Sequence, residues 1–166
     1  MAIDEGDRVL EVGCGRGTAA RLIGQQLTSG KVTAIDRSAT MARLARLRLA
    51  DLIEAGTAEV RDDAIETTDL PSASFDKIFA VNLSLFWIGA TPSGIAQVKR
   101  LLAPTGMLYV FGERPTEATA TAIGRKADAL LRAHGFTTST TTATGRAGRG
   151  LVCVSGFVGP TSDSGR

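Results

Sequence analysis

The stretch that most constrains the fold of this chain is residues 8–17, RVLEVGCGRG. Its apolar first half is typical of a buried parallel strand, and three glycines follow at alternate positions. The next segment, 16–27, carries an apolar stripe at helical spacing. Glycine permits positive φ and lets a ligand approach the backbone closely. Strand, glycine turn and helix together predict the first half of a nucleotide-binding βαβ unit.

The rest of the chain alternates strand-like and helix-like segments. Strands are predicted over 8–12, 31–36, 58–61, 75–81, 107–111, 136–142 and 151–158, and helices over 16–27, 39–55, 95–102 and 116–134. Alternation predicts a parallel sheet covered on both faces, and the last two strands predict a hairpin with one antiparallel strand. We therefore expect an α/β fold, a Rossmann-like doubly wound sheet of about seven strands. It is expected to form a single domain over 1–159, followed by a disordered tail at 160–166.

Composition excludes several classes of protein. The 166 residues are 43% hydrophobic and 22% charged, as in ordinary globular domains. The net charge of +2 gives no compositional case for a nucleic-acid partner. No apolar run approaches the roughly 18 residues of a membrane span. Cys14 and Cys153 lack C-x-x-C spacing, which argues against a metal site or a disulfide framework and predicts a cytoplasmic location.

Polar residues lie at or just past the carboxyl ends of several predicted strands, where open α/β sheets bind ligands. These residues are Glu11, Asp36, Asp63 and Asn82. Asp36 lies 23 residues after Gly13, close to the ~20 at which an acid meets ribose hydroxyls. Its alternative role is that of an acid near a helix N-terminus. Thr18 occupies the position where a dinucleotide fingerprint has glycine or alanine, which argues against a nicotinamide dehydrogenase.

An ordered series of motifs resembles class I S-adenosylmethionine-dependent methyltransferases. The matching segments are 9–17, 34–41, 63–64, 70–71, 74–76, 82–87 and 100–106. Together they cover residues 6–111, with Thr105 standing where the family usually has glycine. The resemblance implies a Rossmann-like fold, S-adenosylmethionine as cofactor, and methyl transfer to an acceptor that we expect to be a small molecule.

The resemblance also implies which residues bind the cofactor. They are Glu11, Gly13, Cys14, Gly15, Gly17, Asp36, Arg37, Met41, Asp63, Ala64 and Asn82. Glu11 and the glycine-turn backbone would hold the methionine part, and Asp36 the ribose hydroxyls. Asp63 and the N–H of Ala64 would contact the adenine, and the backbone near Asn82 the methionine amino group. Arg37 and Met41 would flank the adenine, although Met41 fits the core of its helix equally well.

No residue is a convincing catalytic base. Methyl transfer from a sulfonium is an in-line displacement, so positioning supplies much of the rate and no base is obligatory. Glu113, just after the fifth strand, is a weak candidate whose alternative role is a solvated loop acid. His134, the one histidine, is expected at a helix C-terminus.

The acceptor side leaves alternatives open. The family usually carries helices before the first strand that cover the cofactor, whereas only residues 1–7 precede it here. The site would then be open, closed by a homodimer or partner subunit, or part of a shortened form. An apolar cluster, Leu83, Leu85, Phe86, Trp87 and Ile88, is either an acceptor wall, a dimer contact or plain packing.

Two other functions remain possible from the sequence. One is a catalytically silent S-adenosylmethionine-binding partner subunit that lacks the lid. The other is an RNA or protein methyltransferase, suggested by Arg43, Arg46, Arg48 and the basic turn at 146–149. Asn82 is followed by Leu-Ser-Leu, unlike the Asn-Pro-Pro-aromatic signature of adenine and glutamine methyltransferases.

Overall fold

Seven strands form one mixed sheet within residues 1–88 and 92–159, the part of the chain that the computed structural model describes. The strands are β1 (Arg8–Val12), β2 (Lys31–Ile35), β3 (Ala58–Arg61), β4 (Phe75–Val81), β5 (Leu102–Arg114), β6 (Thr137–Thr144) and β7 (Gly150–Phe157). Their order is β3-β2-β1-β4-β5-β7-β6. The first five pair in parallel, and β7 runs antiparallel to both β5 and β6. The predicted doubly wound sheet with one antiparallel strand is confirmed.

Helices cover both faces of this sheet. They are α1 (Thr18–Gly24), α2 (Ala39–Arg48), α3 (Ala50–Glu54), α4 (Pro92–Leu101) and α5 (Glu117–Ala133), with single 3₁₀ turns at Ser84–Phe86 and Arg146–Gly148. Strand alternation separates two hydrophobic clusters, so that Val9 packs with the buried residues of α1 and α2, and Leu10 with those of α4 and α5. No helix in the described ranges is long and apolar enough to cross a membrane.

The structure corrects several predicted boundaries. The first helix is shorter than 16–27, and α4 begins at Pro92 rather than at residue 95. The helix predicted over 39–55 is broken at Leu49, whose fully buried side chain packs against Gly17. The predicted loop at 113–115 is wrong at its start, because β5 continues to Arg114 through backbone pairing with β7. The predicted tail lies outside the described residues.

The strand order creates a switch point between β1 and β4. The chain moves outward from β1 to β2 and β3, then returns to place β4 on the other side of β1. Connections leaving the carboxyl ends of β1 and β4 therefore run in opposite directions. A crevice forms between them, at the place where open α/β sheets bind ligands.

Candidate functional site

A cavity of about 610 Å³ opens at the carboxyl ends of β1, β2, β3 and β4. Its lining residues are Val12, Gly13, Ile35, Asp36, Arg37, Asp63, Ala64, Ile65, Glu66, Leu83, Ser84, Leu85 and Ile88. The cavity thus brings together two of the acids predicted from strand ends, Asp36 and Asp63, with the first glycine of the turn.

The glycine turn is folded tightly against two neighbouring segments. The N–H groups of Gly13 and Cys14 both donate to the carbonyl oxygen of Ile35, at 2.9 and 3.0 Å. Gly13 has φ +71°, and a Cβ there would lie 2.8 Å from Leu83 Cδ1. Gly15 also has positive φ, +53°, but a Cβ there would have no neighbour within 4 Å among the described residues. The backbone at Gly15 is therefore open to a ligand.

Gly17 is closely packed against α2 and the residue that follows it. It has φ +73°, and a Cβ there would lie 2.5 Å from Leu49 Cδ1 and 3.1 Å from the Cβ of Ala45. We expect Gly17→Ala to lower the free energy of unfolding by roughly 2–4 kcal/mol, through left-handed backbone strain and overpacking together. Urea denaturation measures this loss.

Gly15→Ala is the matched control for that substitution. It imposes a similar left-handed strain without a steric clash, so we expect it to cost only about 1–2 kcal/mol. Equal losses of stability in the two variants would contradict a packing role for Gly17.

Asp36 joins the glycine turn to the start of α2. Its Oδ2 accepts a hydrogen bond from the N–H of Gly15 at 2.8 Å, and its Oδ1 accepts one from the N–H of Ser38 at 2.9 Å. Ser38 caps α2 as predicted, with its Oγ accepting from the N–H of Met41. A carboxylate has about four acceptor positions, so Asp36 retains capacity for ligand hydroxyls facing the cavity.

Asp63 is held in place by neighbours on one side of its carboxylate. Its Oδ2 accepts from Arg61 Nε at 2.6 Å and from Thr68 Oγ1 at 3.0 Å. Arg61 is itself anchored by a second ion pair, with Asp69. In the described part of the chain Asp63 Oδ1 makes no hydrogen bond, so it can accept one from a ligand amine.

Glu11 lies behind the turn, not on the cavity surface. Its side chain points to the α1 face of the sheet and is only 3% exposed. Burial raises the pKa of Glu11 from 4.5 to about 8, opposed by the backbone N–H of Ala20. Its Oε2 has no hydrogen-bond partner among the described residues. A buried polar atom without a partner is a site where a bound polar group is expected.

Cys14 is also buried, and its burial lowers the reactivity of the thiol as a nucleophile. Burial raises the pKa of the Cys14 thiol to about 12, with further contributions from the charges of Glu11 and Asp36. A thiol of that pKa is not a nucleophile at neutral pH. Within the described ranges, no group of three or more His, Cys, Asp or Glu side chains could hold a metal ion.

The apolar cluster after β4 divides into two parts. Leu83, Leu85 and Ile88 line the cavity, whereas Phe86 and Trp87 are 0% and 9% exposed and belong to the core. The sequence left open whether this cluster is an acceptor wall or plain packing. Leu83, Leu85 and Ile88 have the position of a wall, whereas Phe86 and Trp87 are packing residues. Ile88 is 79% exposed at the rim, where its apolar side chain is available to a bound molecule.

Neither weak base candidate faces the cavity as a free group. Glu113 lies within β5 and its carboxylate is ion-paired with Arg149. His134 caps the C-terminus of α5, with Nδ1 2.9 Å from the carbonyl oxygen of Leu130. A catalytic role for Glu113 stays a prediction.

Some predicted cofactor residues do not line the cavity. Beyond Glu11, they are Cys14, Gly15, Gly17, Met41 and Asn82. Sequence reasoning also missed lining residues, notably Ile65, Glu66 and Ser84. Ile65 and Glu66 directly follow Asp63-Ala64, so proximity along the chain was the available signal.

Comparison with known proteins gives consistent matches. Residues 9–106 match a family model described as a methyltransferase domain. The uncharacterized methyltransferase YdaC of Bacillus subtilis is 31% identical over 141 residues, which are 82% of this chain and 75% of YdaC. A trans-aconitate 2-methyltransferase of Paracidovorax citrulli is 33% identical over 112 residues. That match covers 66% of this chain but only 40% of the relative.

Among solved structures, a SAM-dependent methyltransferase from Aquifex aeolicus superposes with a TM-score of 0.78 at 20% identity. The superposition covers 95% of this chain and 85% of the Aquifex chain. At this identity the likeness speaks for the fold alone.

Proposed function

This chain belongs to the methyltransferase-domain family and is a class I S-adenosylmethionine-dependent methyltransferase, and from that premise we propose that it methylates a small carboxylic acid. The bound cofactor supplies a methyl group that a nucleophile takes in line from a sulfonium sulfur, which keeps the electron pair of the broken bond. The residues of this chain then have three tasks, namely to bind the cofactor, to place the acceptor and to exclude water.

The observation that carries the proposal is the placement of the groups that might remove a proton. Glu113 is ion-paired, His134 caps a helix, and the Cys14 thiol has a pKa of about 12. Of the acids that line the cavity, Asp36 and Asp63 are hydrogen-bonded within the chain, and Glu66 is also engaged. An amine, phenol or alcohol acceptor loses a proton during methylation, whereas a carboxylate is already ionised at neutral pH. A carboxylate acceptor therefore suits a site that relies on positioning. The relatives named trans-aconitate 2-methyltransferases, one of them 33% identical, support this class of acceptor.

For the cofactor, we propose the residue roles implied by the family motifs. Asp36 binds the ribose hydroxyls, since it lines the cavity and each of its oxygens, with one hydrogen bond from the chain, retains acceptor capacity. Asp63 Oδ1 accepts from the adenine amine beside the Ala64 backbone. The open backbone at Gly15 suits the polar methionine part, with Glu11, whose Oε2 has no hydrogen-bond partner among the described residues, behind the turn.

Further family roles are proposed for the remaining residues. Arg37 lines the cavity and flanks the adenine, with Met41 near it at the start of α2. The backbone near Asn82 contacts the methionine amino group. Cys14 and Gly17 act through the shape of the turn, since neither lines the cavity.

The arginines that suggested an RNA or protein acceptor are partly engaged within the chain. Arg46 pairs with Asp62 and donates to the carbonyl oxygen of Val60, and Arg149 pairs with Glu113. A phosphate-binding face would need such charges free. Their engagement supports a small-molecule acceptor.

Methyl transfer from radiolabelled S-adenosylmethionine to a panel of acceptors tests the proposal. We expect label to enter carboxylic acids, trans-aconitate among them, as methyl esters that mild alkali hydrolyses. The matching carboxamides serve as controls and should stay unlabelled. Label found only in amines, phenols or RNA would contradict the proposal. Cofactor binding without transfer to any acceptor would favour the catalytically silent partner subunit instead.

A further inference from the structure

Arg114 lies at the carboxyl edge of the sheet, the edge at which the cavity opens. It is the last residue of β5, the strand next to β4, and its side chain is half-buried. Its guanidinium carbon lies 4.9 Å from the centroid of the Trp87 ring, a cation–π contact with a buried indole. The contact holds the guanidinium over the indole ring.

Asn82 fixes the same guanidinium from its edge. Asn82 Oδ1 accepts from the N–H of Glu113 at 2.8 Å and from Arg114 Nη1 at 3.0 Å. Arg114 Nη1 also donates to the carbonyl oxygen of Glu113 at 2.7 Å. Asn82 has φ +54°, a left-handed conformation that costs a non-glycine residue energy and is found preferentially at functional sites.

Among the described residues, the charge of Arg114 has no counter-ion. Both of its acceptors are neutral oxygens, and no carboxylate of the described residues lies within ion-pair distance of it. The adjacent acid, Glu113, pairs with Arg149 instead. Within the described ranges, Nε and Nη2 of Arg114 donate to no protein group. A fixed guanidinium with unused donors has the geometry that binds a carboxylate through two parallel hydrogen bonds.

The position of Arg114 relative to the cavity follows from its two supports. Asn82 directly precedes Leu83, and Trp87 directly precedes Ile88. Leu83 and Ile88 both line the cavity. Arg114 itself is not among the residues that line the cavity, so its guanidinium is placed by these two contacts next to the segment that carries Leu83 and Ile88.

We propose that Arg114 binds a second carboxylate of the acceptor, so that the enzyme selects di- or tricarboxylic acids. The inference rests on the proposed function, because one carboxylate receives the methyl group while Arg114 holds another. Selection arises because a monocarboxylate leaves the unused donors of Arg114 without a ligand partner.

Calorimetry on the protein loaded with S-adenosylhomocysteine tests this proposal. The probes are trans-aconitate, citrate and succinate, with butyrate as the monocarboxylate. The comparison uses the polycarboxylate with the highest affinity for the wild type. We expect Arg114→Gln to weaken the binding of this ligand by about ten- to hundredfold. The affinity for S-adenosylhomocysteine, which also reports correct folding, should not change.

Two further variants sharpen the experiment. Arg125→Gln removes an exposed positive charge on α5 and should leave all affinities unchanged. Arg114→Lys keeps the charge but loses the planar fork, and we expect an intermediate loss, which also covers the case in which Arg114→Gln does not fold. Equal polycarboxylate affinity in wild type and in both Arg114 variants overturns the proposal, as does wild-type protein that binds no polycarboxylate. Polycarboxylate binding that depends on Arg114 without methyl transfer would instead contradict the proposed function alone.

Discussion

Replacing Asp36 with alanine is expected to weaken S-adenosylhomocysteine binding by about ten- to hundredfold, the loss for hydrogen bonds to a charged group. Asp36 has two roles in this site: it lines the cavity, and its carboxylate holds the glycine turn by accepting from the N–H of Gly15. The substitution therefore removes ribose contacts and releases the turn that shapes the methionine site. Isothermal titration calorimetry measures the change.

Two control variants separate these effects. Asp36→Asn keeps one acceptor oxygen at the turn but lacks the charge, so we expect a smaller loss than with alanine. Asp51→Ala removes an exposed acid paired with Arg21 and should leave the affinity unaltered. If Asp36→Ala bound S-adenosylhomocysteine as tightly as the wild type does, the ribose assignment would be wrong.

The stability of the protein is expected to fall as pH rises from about 5 to 8, because of Glu11. Burial raises the pKa of Glu11 from 4.5 to about 8, so in this window the folded state holds a proton that the unfolded state has released. The stabilisation is fully present below the unfolded pKa and is lost as pH rises through the folded pKa. The free energy of unfolding should fall by roughly 1.4 kcal/mol per pH unit, several kcal/mol in total.

Urea denaturation of the ligand-free protein at a series of pH values measures this slope. Glu11→Gln resembles the protonated side chain and does not titrate, so the slope should largely disappear in that variant. Asp51, Asp76 and Asp128 have pKa values lowered by arginine or hydroxyl partners, so they stay ionised across the window and act only at lower pH. An unchanged slope in Glu11→Gln would show that another group titrates.

The sheet and the position of the site were predictable from the sequence because local patterns encode them. Apolar runs of strand length, broken by glycine or acid, give β1 and β2 with their observed starts. Once the strands alternate with helices, the carboxyl edge is where a ligand binds. Gly13, Asp36 and Asp63, which this rule predicts at the ligand site, all line the cavity.

The interactions of individual side chains were not predictable in the same way. Glu113 looked like a loop acid, but pairing of β5 with β7 brings Arg149 to it from 36 residues away. Glu11 and Val12 are adjacent in β1 and both are 3% exposed, but they point to opposite faces of the sheet and only Val12 lines the cavity. Such outcomes depend on which distant elements cover each face.

The sequence alone determined the architecture and the glycine turn, because these depend on spacing along a few short segments, and the resemblance of those segments to a known family implied the cofactor. Only the tertiary structure decided that Arg114 has no counter-ion among the described residues and is held by Asn82 over the Trp87 ring. That arrangement joins residues 82, 87 and 114 across two strands and a 3₁₀ turn. Whether a charged side chain has an ion-pair partner depends on which residues lie near it in space. A local sequence pattern does not predict those residues.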